Sequence, residues 1–320
     1  MLELAIVGLG GWGRRCVEAV QGRSDRVKFR AAAVSRPERS KEFAAKHGLS
    51  VGSDYASVLR DPAVRGVVSC GPAPLHAQHS LAALQAGKPV LAIKPMARTA
   101  EEARALQTAA ETSGVLLALG FDRCFFPNVA EMRTRLRSGA LGRLLHAEGN
   151  FCVDRYGSLQ AGNWKADPAH VTAGSLADHM LYLMIETLGS IAEVHTMSNH
   201  DVSPNGLADT AAVLLRTRGN ATGMLTAIGV TPDYYRFQVF GTKGWLQIRD
   251  ARQLTHQPAD GKGEELVLPE IDPVRAELEA FADAVAGRAT FPVRVEDAVH
   301  GVAVLEAMGR SAVEGRPVSV

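Results

Sequence analysis

The first residues that could do chemistry are the glycines of a short loop near the start of the chain. Residues 8–13 read Gly-Leu-Gly-Gly-Trp-Gly, after the apolar run 4–7 and before a helical pattern. In this spacing Gly8 allows a tight turn, Gly10 lets the backbone approach a pyrophosphate, and Gly13 lets the helix pack on the strand. N–H groups at the start of the helix then face the anion. The loop therefore predicts a dinucleotide site, to which three more residues contribute: Gly11, Trp12 and Arg14.

The residues after the second strand pattern distinguish NAD from NADP. An NAD site places Asp or Glu about 20 residues beyond the glycines, to bind the ribose 2′-hydroxyl. Here Val34 is followed by Ser35 and Arg36, with no carboxylate. A hydroxyl beside a guanidinium suits a 2′-phosphate, because arginine binds phosphate with two hydrogen bonds. Arg14 and Arg39 would add positive charge. We therefore expect NADP to be preferred and NAD to be possible; alternatively, Arg36 is a solvated loop charge.

Strand and helix patterns alternate through the first third of the chain. Thr99 and Glu102 form a capping box at the start of one of these helices. The strand patterns, separated by helical stretches, lie at residues 4–7, 29–34, 66–70, 89–93 and 115–119. Continuously apolar strands between helices predict an α/β fold that begins with a Rossmann domain, a doubly wound parallel sheet.

Beyond residue 120 the strand patterns cluster and tight turns separate them, which predicts a C-terminal α+β domain with an open, mainly antiparallel sheet. Helical patterns interrupt and follow these strands at residues 128–137, 175–188, 274–286 and 296–313. The polar stretch His256–Glu265 is predicted to be an exposed loop. We expect a dinucleotide-binding domain over residues 1–122 and a substrate-binding and oligomerisation domain over residues 123–320. The last helix either stays with the second domain or packs back on the first.

The composition excludes several classes of protein. Of 320 residues, 46% are hydrophobic, which is too many for a disordered chain. The net charge of +1 argues against a partner that is nucleic acid or an anionic membrane. Residues 1–120 nevertheless hold 16 Lys and Arg against 10 Asp and Glu, so the half with the glycine loop is positive. The sequence shows neither a membrane-spanning run nor a signal peptide, and its four cysteines lack zinc-type spacing. We expect a cytoplasmic protein without a metal.

Five further motifs follow the glycine loop in a fixed order. They are Pro72 with His76; Gly87–Pro95, which contains Lys94; Gly120–Pro127; Asn163–Pro168 with Gly174–Asp178; and Gly241–Gly244. Together they resemble the glucose–fructose oxidoreductase and inositol dehydrogenase (Gfo/Idh/MocA) family over essentially the whole chain. The chain departs from the family pattern in two places. Ile93 stands where the family has Glu, and residues 172–175, Thr-Ala-Gly-Ser, contain fewer glycines than the family has before Leu176.

The resemblance implies an NAD(P)-dependent dehydrogenase or reductase that acts on a CH–OH group of a small polyhydroxylated substrate. A sugar, a cyclitol, a dihydrodiol or an acid derivative would fit. It also implies catalytic roles for Lys94, Asp178 and Tyr182, the last at a position where the family commonly has His. A helical i, i+4 spacing places Asp178 and Tyr182 on one face. A lysine whose pKa falls below its usual ~10.4 can donate a proton and balance charge on the reacting oxygen.

The remaining predicted site residues surround these groups. Pro72, His76 and Lys94 are expected to contact the cofactor. The substrate-binding candidates are expected to come from the second domain: Arg123, Tyr156, Trp164, Lys165 and His179.

Two other functions stay open at this point. A sensor or regulator would need only the glycine loop, and a glycoside hydrolase could use the nicotinamide for a transient oxidation. In every case the open sheet has a face that needs covering, so we expect a homodimer or homotetramer.

Overall fold

The structure is a computed structural model that describes residues 1–156, 174–203 and 208–320. Contacts divide the chain into two compact units. The first unit comprises Met1–Phe125 and Asp272–Val299, and the second comprises Phe126–Ile271 and His300–Val320. The domain boundary expected between residues 122 and 123 stays a prediction. Across the described ranges, no helix combines the length and apolarity needed to cross a bilayer.

The first unit contains a six-stranded parallel sheet of order β3-β2-β1-β4-β5-β6, which confirms the predicted Rossmann domain. Its strands are β1 (Leu2–Val7), β2 (Val27–Ala33), β3 (Ser50–Gly52), β4 (Gly66–Ser69), β5 (Val90–Ile93) and β6 (Leu117–Gly120). The helices between them are α1 (Gly11–Val20), α2 (Lys41–His47), α3 (Tyr55–Arg60), α4 (His76–Gln85) and α5 (Ala100–Ser113). The short elements β3 and α3 were not predicted, because neither is long enough to show a clear periodicity.

After β6 the chain continues with helix α6 (Pro127–Arg137) and strand β7 (Leu144–Cys152), followed by α7 (Gly174–Leu188). The strands that come next are β8 (Ile191–Asn199), β9 (Thr210–Thr217), β10 (Thr222–Ile228), β11 (Tyr234–Gly241), β12 (Gly244–Arg249), β13 (Gln253–Pro258) and β14 (Glu264–Val267). The chain ends with α8 (Pro273–Val285), α9 (Val295–Glu314) and β15 (Val318–Ser319).

The second unit contains a nine-stranded sheet of order β14-β13-β12-β11-β7-β10-β9-β8-β15. Its described strand pairs are antiparallel except β7 with β10, as the sequence predicted for a mainly antiparallel sheet. Helix α7 covers one face: a Cβ on Gly149 of β7 would lie 2.8 Å from the Cβ of Met180. The opposite face carries exposed apolar side chains, namely Met197, Leu214 and Met224.

The exposed loop predicted over His256–Glu265 is confirmed only for the turn at residues 259–263, because the two ends of the stretch are strands. Strands β13 and β14 pair as an antiparallel hairpin in which His256 lies opposite Glu264. Arg135 of α6 reaches this hairpin and forms an ion pair with Glu264. The residues are polar because the hairpin is at the edge of the sheet, where cross-strand hydrogen bonds rather than buried apolar side chains hold it.

Helix α8 lies in the first unit although it comes late in the chain. Asp272 caps its N-terminus and forms an ion pair of 2.6 Å with Arg15 of α1. Leu278 and Phe281 are fully buried in the same core as Leu4 of β1. The helix therefore covers the parallel sheet next to α1, the helix that follows the glycine loop.

Candidate functional site

The glycine loop has the geometry of a phosphate cradle. Gly8 has a φ of +93°, and a Cβ there would lie 2.9 Å from the carbonyl oxygen of Cys70. A Cβ on Gly13 would lie 2.1 Å from the carbonyl oxygen of Gly8, so helix α1 packs against the loop only because Gly13 has no side chain. Apart from the adjacent residues and the backbone of α1, no heavy atom of the described residues lies within 4 Å of a Cβ built on Gly10 or Gly11. The loop therefore packs closely against the protein backbone at Gly8 and Gly13 and leaves open space at Gly10 and Gly11.

The start of α1 supplies the charge for an anion. Gly10 is the N-cap, and the first intrahelical hydrogen bond runs from the N–H of Arg14 to the carbonyl of Gly10. The N–H groups of residues 11–13 have no intrahelical acceptor, as at any helix start. This first turn includes no carboxylate to compensate the positive helix end. The residues present fit a dinucleotide pyrophosphate.

Arg14 links the glycine loop to the segment after β2. Its Nε donates to the carbonyl of Leu9 at 3.2 Å, and its Nη2 donates to the carbonyl of Arg39 at 3.3 Å. The guanidinium carbon lies 4.7 Å from the centre of the Phe43 ring. Trp12, on the same turn, is 37% exposed. These contacts hold a positive charge between the two loops predicted to bind the cofactor.

Ser35 and Arg36 are exposed directly after β2. In the part of the chain that the structure describes, no carboxylate pairs with Arg36. Since β1 and β2 are parallel neighbours, with Val7 opposite Ala33, both strands end at the same edge of the sheet. The hydroxyl and the guanidinium are therefore available at the edge where the glycine loop lies.

Lys94 follows β5 and is half-buried. Its backbone N–H donates to the carbonyl of Gly120 at 3.1 Å, and its peptide bond to Pro95 is cis. Because β5 belongs to the same parallel sheet, Lys94 lies at the edge that also carries the glycine loop and Arg36. This edge is where doubly wound sheets bind ligands.

His76, at the first residue of α4, connects two loops at that edge. Its Nδ1 lies 2.8 Å from the carbonyl oxygen of Pro95, and its Nε2 lies 2.7 Å from that of Gly71. Burial lowers the pKa of His76, the two carbonyls oppose this shift, and the positive charge of Lys94 adds to it. Both ring nitrogens thus face the main chain. Pro72, predicted beside it as a cofactor contact, is exposed on the same loop.

In the second unit, helix α7 carries the other two predicted catalytic residues. Asp178 is fully buried and Tyr182 is 3% exposed. Their spacing of four residues places them on one side of the helix. The ring of Tyr182 packs against Gly301 of α9. The helix therefore presents a carboxylate and a phenol together, in an apolar environment.

The predicted substrate-binding residues lie in several environments. His179 stacks on Phe151 with ring centres 4.3 Å apart, and Tyr156 is buried against Gly229. Arg123, in the first unit, pairs with the neighbouring Asp122 at 3.3 Å. Two more of the predicted residues, Trp164 and Lys165, lie outside the described residues.

Sequence reasoning missed Glu277, a fully buried carboxyl group on α8. Burial raises its pKa well above the usual value, and the negative charge of Asp122 and the thiol of Cys16 act in the same direction. The backbone N–H of Phe121 opposes the shift. The signal that could have found it is helical spacing: Glu277 follows Val274 by three residues and precedes Phe281 by four, which places it on the apolar face of α8.

Two family models match the chain. Residues 2–121 match an oxidoreductase family with an NAD-binding Rossmann fold, and residues 129–247 match the GFO/IDH/MocA C-terminal domain. The chain belongs to the Gfo/Idh/MocA family. The resemblance predicted from the motifs is thereby confirmed. So is the prediction of an NAD(P)-dependent dehydrogenase or reductase that acts on CH–OH groups.

Other Gfo/Idh/MocA proteins resemble the chain over much of its length. The uncharacterized oxidoreductase YrbE of Bacillus subtilis is 25% identical, over 98% of this chain and 95% of its own. Inositol 2-dehydrogenase of Mycolicibacterium smegmatis is 30% identical, over 68% of this chain and 62% of its own. The structure of levoglucosan dehydrogenase with NADH and L-sorbose has a TM-score of 0.91 at 21% identity, covering 100% of this chain and 98% of that one. This last likeness establishes the fold.

Proposed function

We propose that the chain is an NADP-preferring oxidoreductase that transfers a hydride between nicotinamide and a hydroxyl or carbonyl group of a small polyhydroxylated substrate. The substrate class comprises sugars, cyclitols, dihydrodiols and their acid derivatives. The observation that carries the proposal is that the phosphate cradle, Arg36 and Lys94 share one edge of the parallel sheet. An anion-binding loop and an ammonium group at the same edge are what a nicotinamide-dependent reduction of a carbonyl requires.

The chain's own groups account for cofactor binding. The N–H groups of residues 11–13 would bind the pyrophosphate. Ser35 and Arg36 would bind a 2′-phosphate, since a guanidinium forms strong charge-assisted hydrogen bonds with phosphate oxygens. Arg14 lies close enough to both loops to add positive charge. The bound nicotinamide supplies or accepts the hydride.

The catalytic roles proposed here follow from the types of side chain. The Nζ of Lys94 donates a proton to the substrate oxygen during reduction, takes it back during oxidation, and balances the negative charge that develops there. Asp178 orients the substrate hydroxyl or the ammonium group. The phenol of Tyr182 either donates a hydrogen bond to the reacting oxygen or relays the proton to that oxygen.

A turnover assay tests this proposal. The enzyme is offered levoglucosan, myo-inositol and trans-1,2-dihydrobenzene-1,2-diol with NADP⁺ or NAD⁺, and the absorbance of the reduced nicotinamide is followed. We expect net reduction, with a higher kcat/KM for NADP⁺ than for NAD⁺. Product formed without net reduction would indicate a hydrolase, and cofactor binding without turnover would indicate a sensor.

Lys94→Ala tests the role of the lysine. The variant should lose kcat while its affinity for NADPH, measured by fluorescence titration, remains. The matched control is Lys46→Ala, at an exposed lysine of α2. A near-normal kcat in Lys94→Ala would show that another group moves the proton.

We further propose that the protein is a cytoplasmic homodimer or homotetramer that associates through the sheet face opposite α7. Leu214 and Met197 are 59% and 69% exposed on that face, where they would be buried by a second copy. Leu214→Glu should shift the mass in solution, measured by light scattering, towards the monomer. A wild-type chain that is already monomeric would contradict this part of the proposal.

A further inference from the structure

Gly301 occupies an unusual place in the second unit. It is buried within α9, a helix of 20 residues, where glycine destabilises the helix relative to alanine. A Cβ on Gly301 would lie 2.3 Å from Cε1 of Tyr182, 3.0 Å from its Cζ and 3.1 Å from its Cδ1. The shortest of these distances is far inside van der Waals contact, so the ring of Tyr182 fills the space where a side chain at position 301 would be.

The ring cannot simply swing away. Tyr182 is 3% exposed, and its neighbours in sequence, Leu181 and Leu183, are fully buried. Protein interiors are close-packed, so a displaced aromatic ring must push other side chains. The position of the ring is therefore set by the surface of α9 at Gly301.

We propose that Gly301 is a positioning residue for the reaction: the missing side chain sets the place of the Tyr182 hydroxyl. This inference rests on the proposed catalytic role of Tyr182. The contact involves the ring edge from Cδ1 to Cζ, and Cζ carries the hydroxyl, so any shift forced at this edge moves the hydroxyl. A misplacement of about 1 Å at a reacting group can lower a rate by about 100-fold.

The first test compares two glycines of the same helix. Gly301→Ala should lower kcat by about 10- to 100-fold, because the phenol is displaced, while KM for NADP⁺ stays nearly constant. The matched control is Gly309→Ala: apart from the helix's own backbone, no heavy atom of the described residues lies within 4 Å of a Cβ there. This control should keep the wild-type kcat. Equal kcat values in the two variants would overturn the inference.

The second test asks whether the loss of activity passes through the hydroxyl. Tyr182→Phe removes the hydroxyl and keeps the ring. In that background Gly301→Ala should lower kcat by no more than about two-fold, whereas independent effects would multiply. If Tyr182→Phe keeps the wild-type kcat, the role of Tyr182 in the proposed function fails. If Tyr182→Phe lowers kcat and Gly301→Ala does not, only the present inference fails.

A third test needs no substrate. Gly301→Ala should lower the Tm of the wild-type chain, and should not lower it when Tyr182→Leu has removed the ring. This comparison applies equally if Gly301→Ala alone fails to fold, since the double variant should then fold. An equal loss of stability in both backgrounds would show that alanine meets something other than the ring, and would overturn the inference.

Discussion

The Nδ1 of His76 lies 2.8 Å from the carbonyl oxygen of Pro95, the residue that follows Lys94. The other ring nitrogen faces the carbonyl of Gly71 at 2.7 Å. A neutral imidazole has one N–H, so it donates to one of these carbonyls, and an imidazolium would donate to both. Either form joins the loop after β4 to the loop that carries Lys94.

His76→Leu should therefore destabilise the protein by about 1–3 kcal/mol, because at least one buried carbonyl loses its donor. The measurement is urea unfolding. We also expect His76→Leu to lower kcat, since the loop that carries Lys94 loses its connection to the loop after β4. His195→Leu, at a half-buried histidine of β8, is the control. Equal stabilities of His76→Leu and wild type would show that the two carbonyl contacts contribute nothing.

The glycine loop allows folding and cofactor binding to be separated. Gly13→Ala places a Cβ 2.1 Å from the Gly8 carbonyl, so α1 must move, and both Tm and NADPH affinity should fall. Gly10→Ala meets no described atom within 4 Å, so its Tm should stay near that of wild type while NADPH affinity falls, because the methyl group projects towards the expected pyrophosphate. Normal NADPH binding by Gly10→Ala would place the pyrophosphate elsewhere.

Arg36→Ala tests the preference for NADP. Loss of a charge-assisted hydrogen bond of about 1.5–3 kcal/mol should lower kcat/KM for NADP⁺ by about 10- to 100-fold and leave the value for NAD⁺ nearly unchanged. Arg23→Ala, at an exposed arginine after α1, provides the control for a general loss of positive charge. A parallel decrease with both cofactors would show that Arg36 does not recognise the 2′-phosphate.

Glu277 should make stability depend on pH. Burial holds its pKa above the usual 4.5, so the folded chain keeps a proton that the unfolded chain loses. The stabilisation from this proton is complete below the unfolded pKa and is lost as pH rises through the folded pKa. Relative to Glu277→Gln, the wild-type free energy of unfolding should fall with rising pH, by at most about 1.4 kcal/mol per pH unit.

Urea unfolding of wild type and Glu277→Gln between about pH 5 and 8 measures this difference. Glu279→Gln, two residues further along α8 and only half-buried, should follow the wild-type curve. Parallel curves for wild type and Glu277→Gln would mean that Glu277 titrates alike in the folded and unfolded chains.

Local patterns in the sequence were sufficient for the Rossmann domain. The alternation of apolar strands and helices, and the glycine spacing, depend on residues close to one another in the chain. The predicted capping box is confirmed in one of its two hydrogen bonds: Thr99 Oγ1 accepts from the N–H of Glu102 at 3.1 Å, whereas the Glu102 carboxylate accepts from the N–H of Arg98 at 2.8 Å rather than from that of Thr99. The Gfo/Idh/MocA family could be recognised because its motifs are short and ordered.

Contacts between distant segments were decided only by the tertiary structure. The placement of α8 beside α1, the burial of Glu277, the two carbonyls on His76 and the fit of Tyr182 against Gly301 each join residues from separate parts of the chain. Helical periodicity indicates that a side chain is on the apolar side, but not which neighbour it meets. The sequence by itself therefore determined the cofactor fold, the family and the candidate catalytic side chains. The packing of α4, α8 and α9 decided what touches His76, Glu277 and Tyr182, because close packing is a property of the assembled core and not of a local segment.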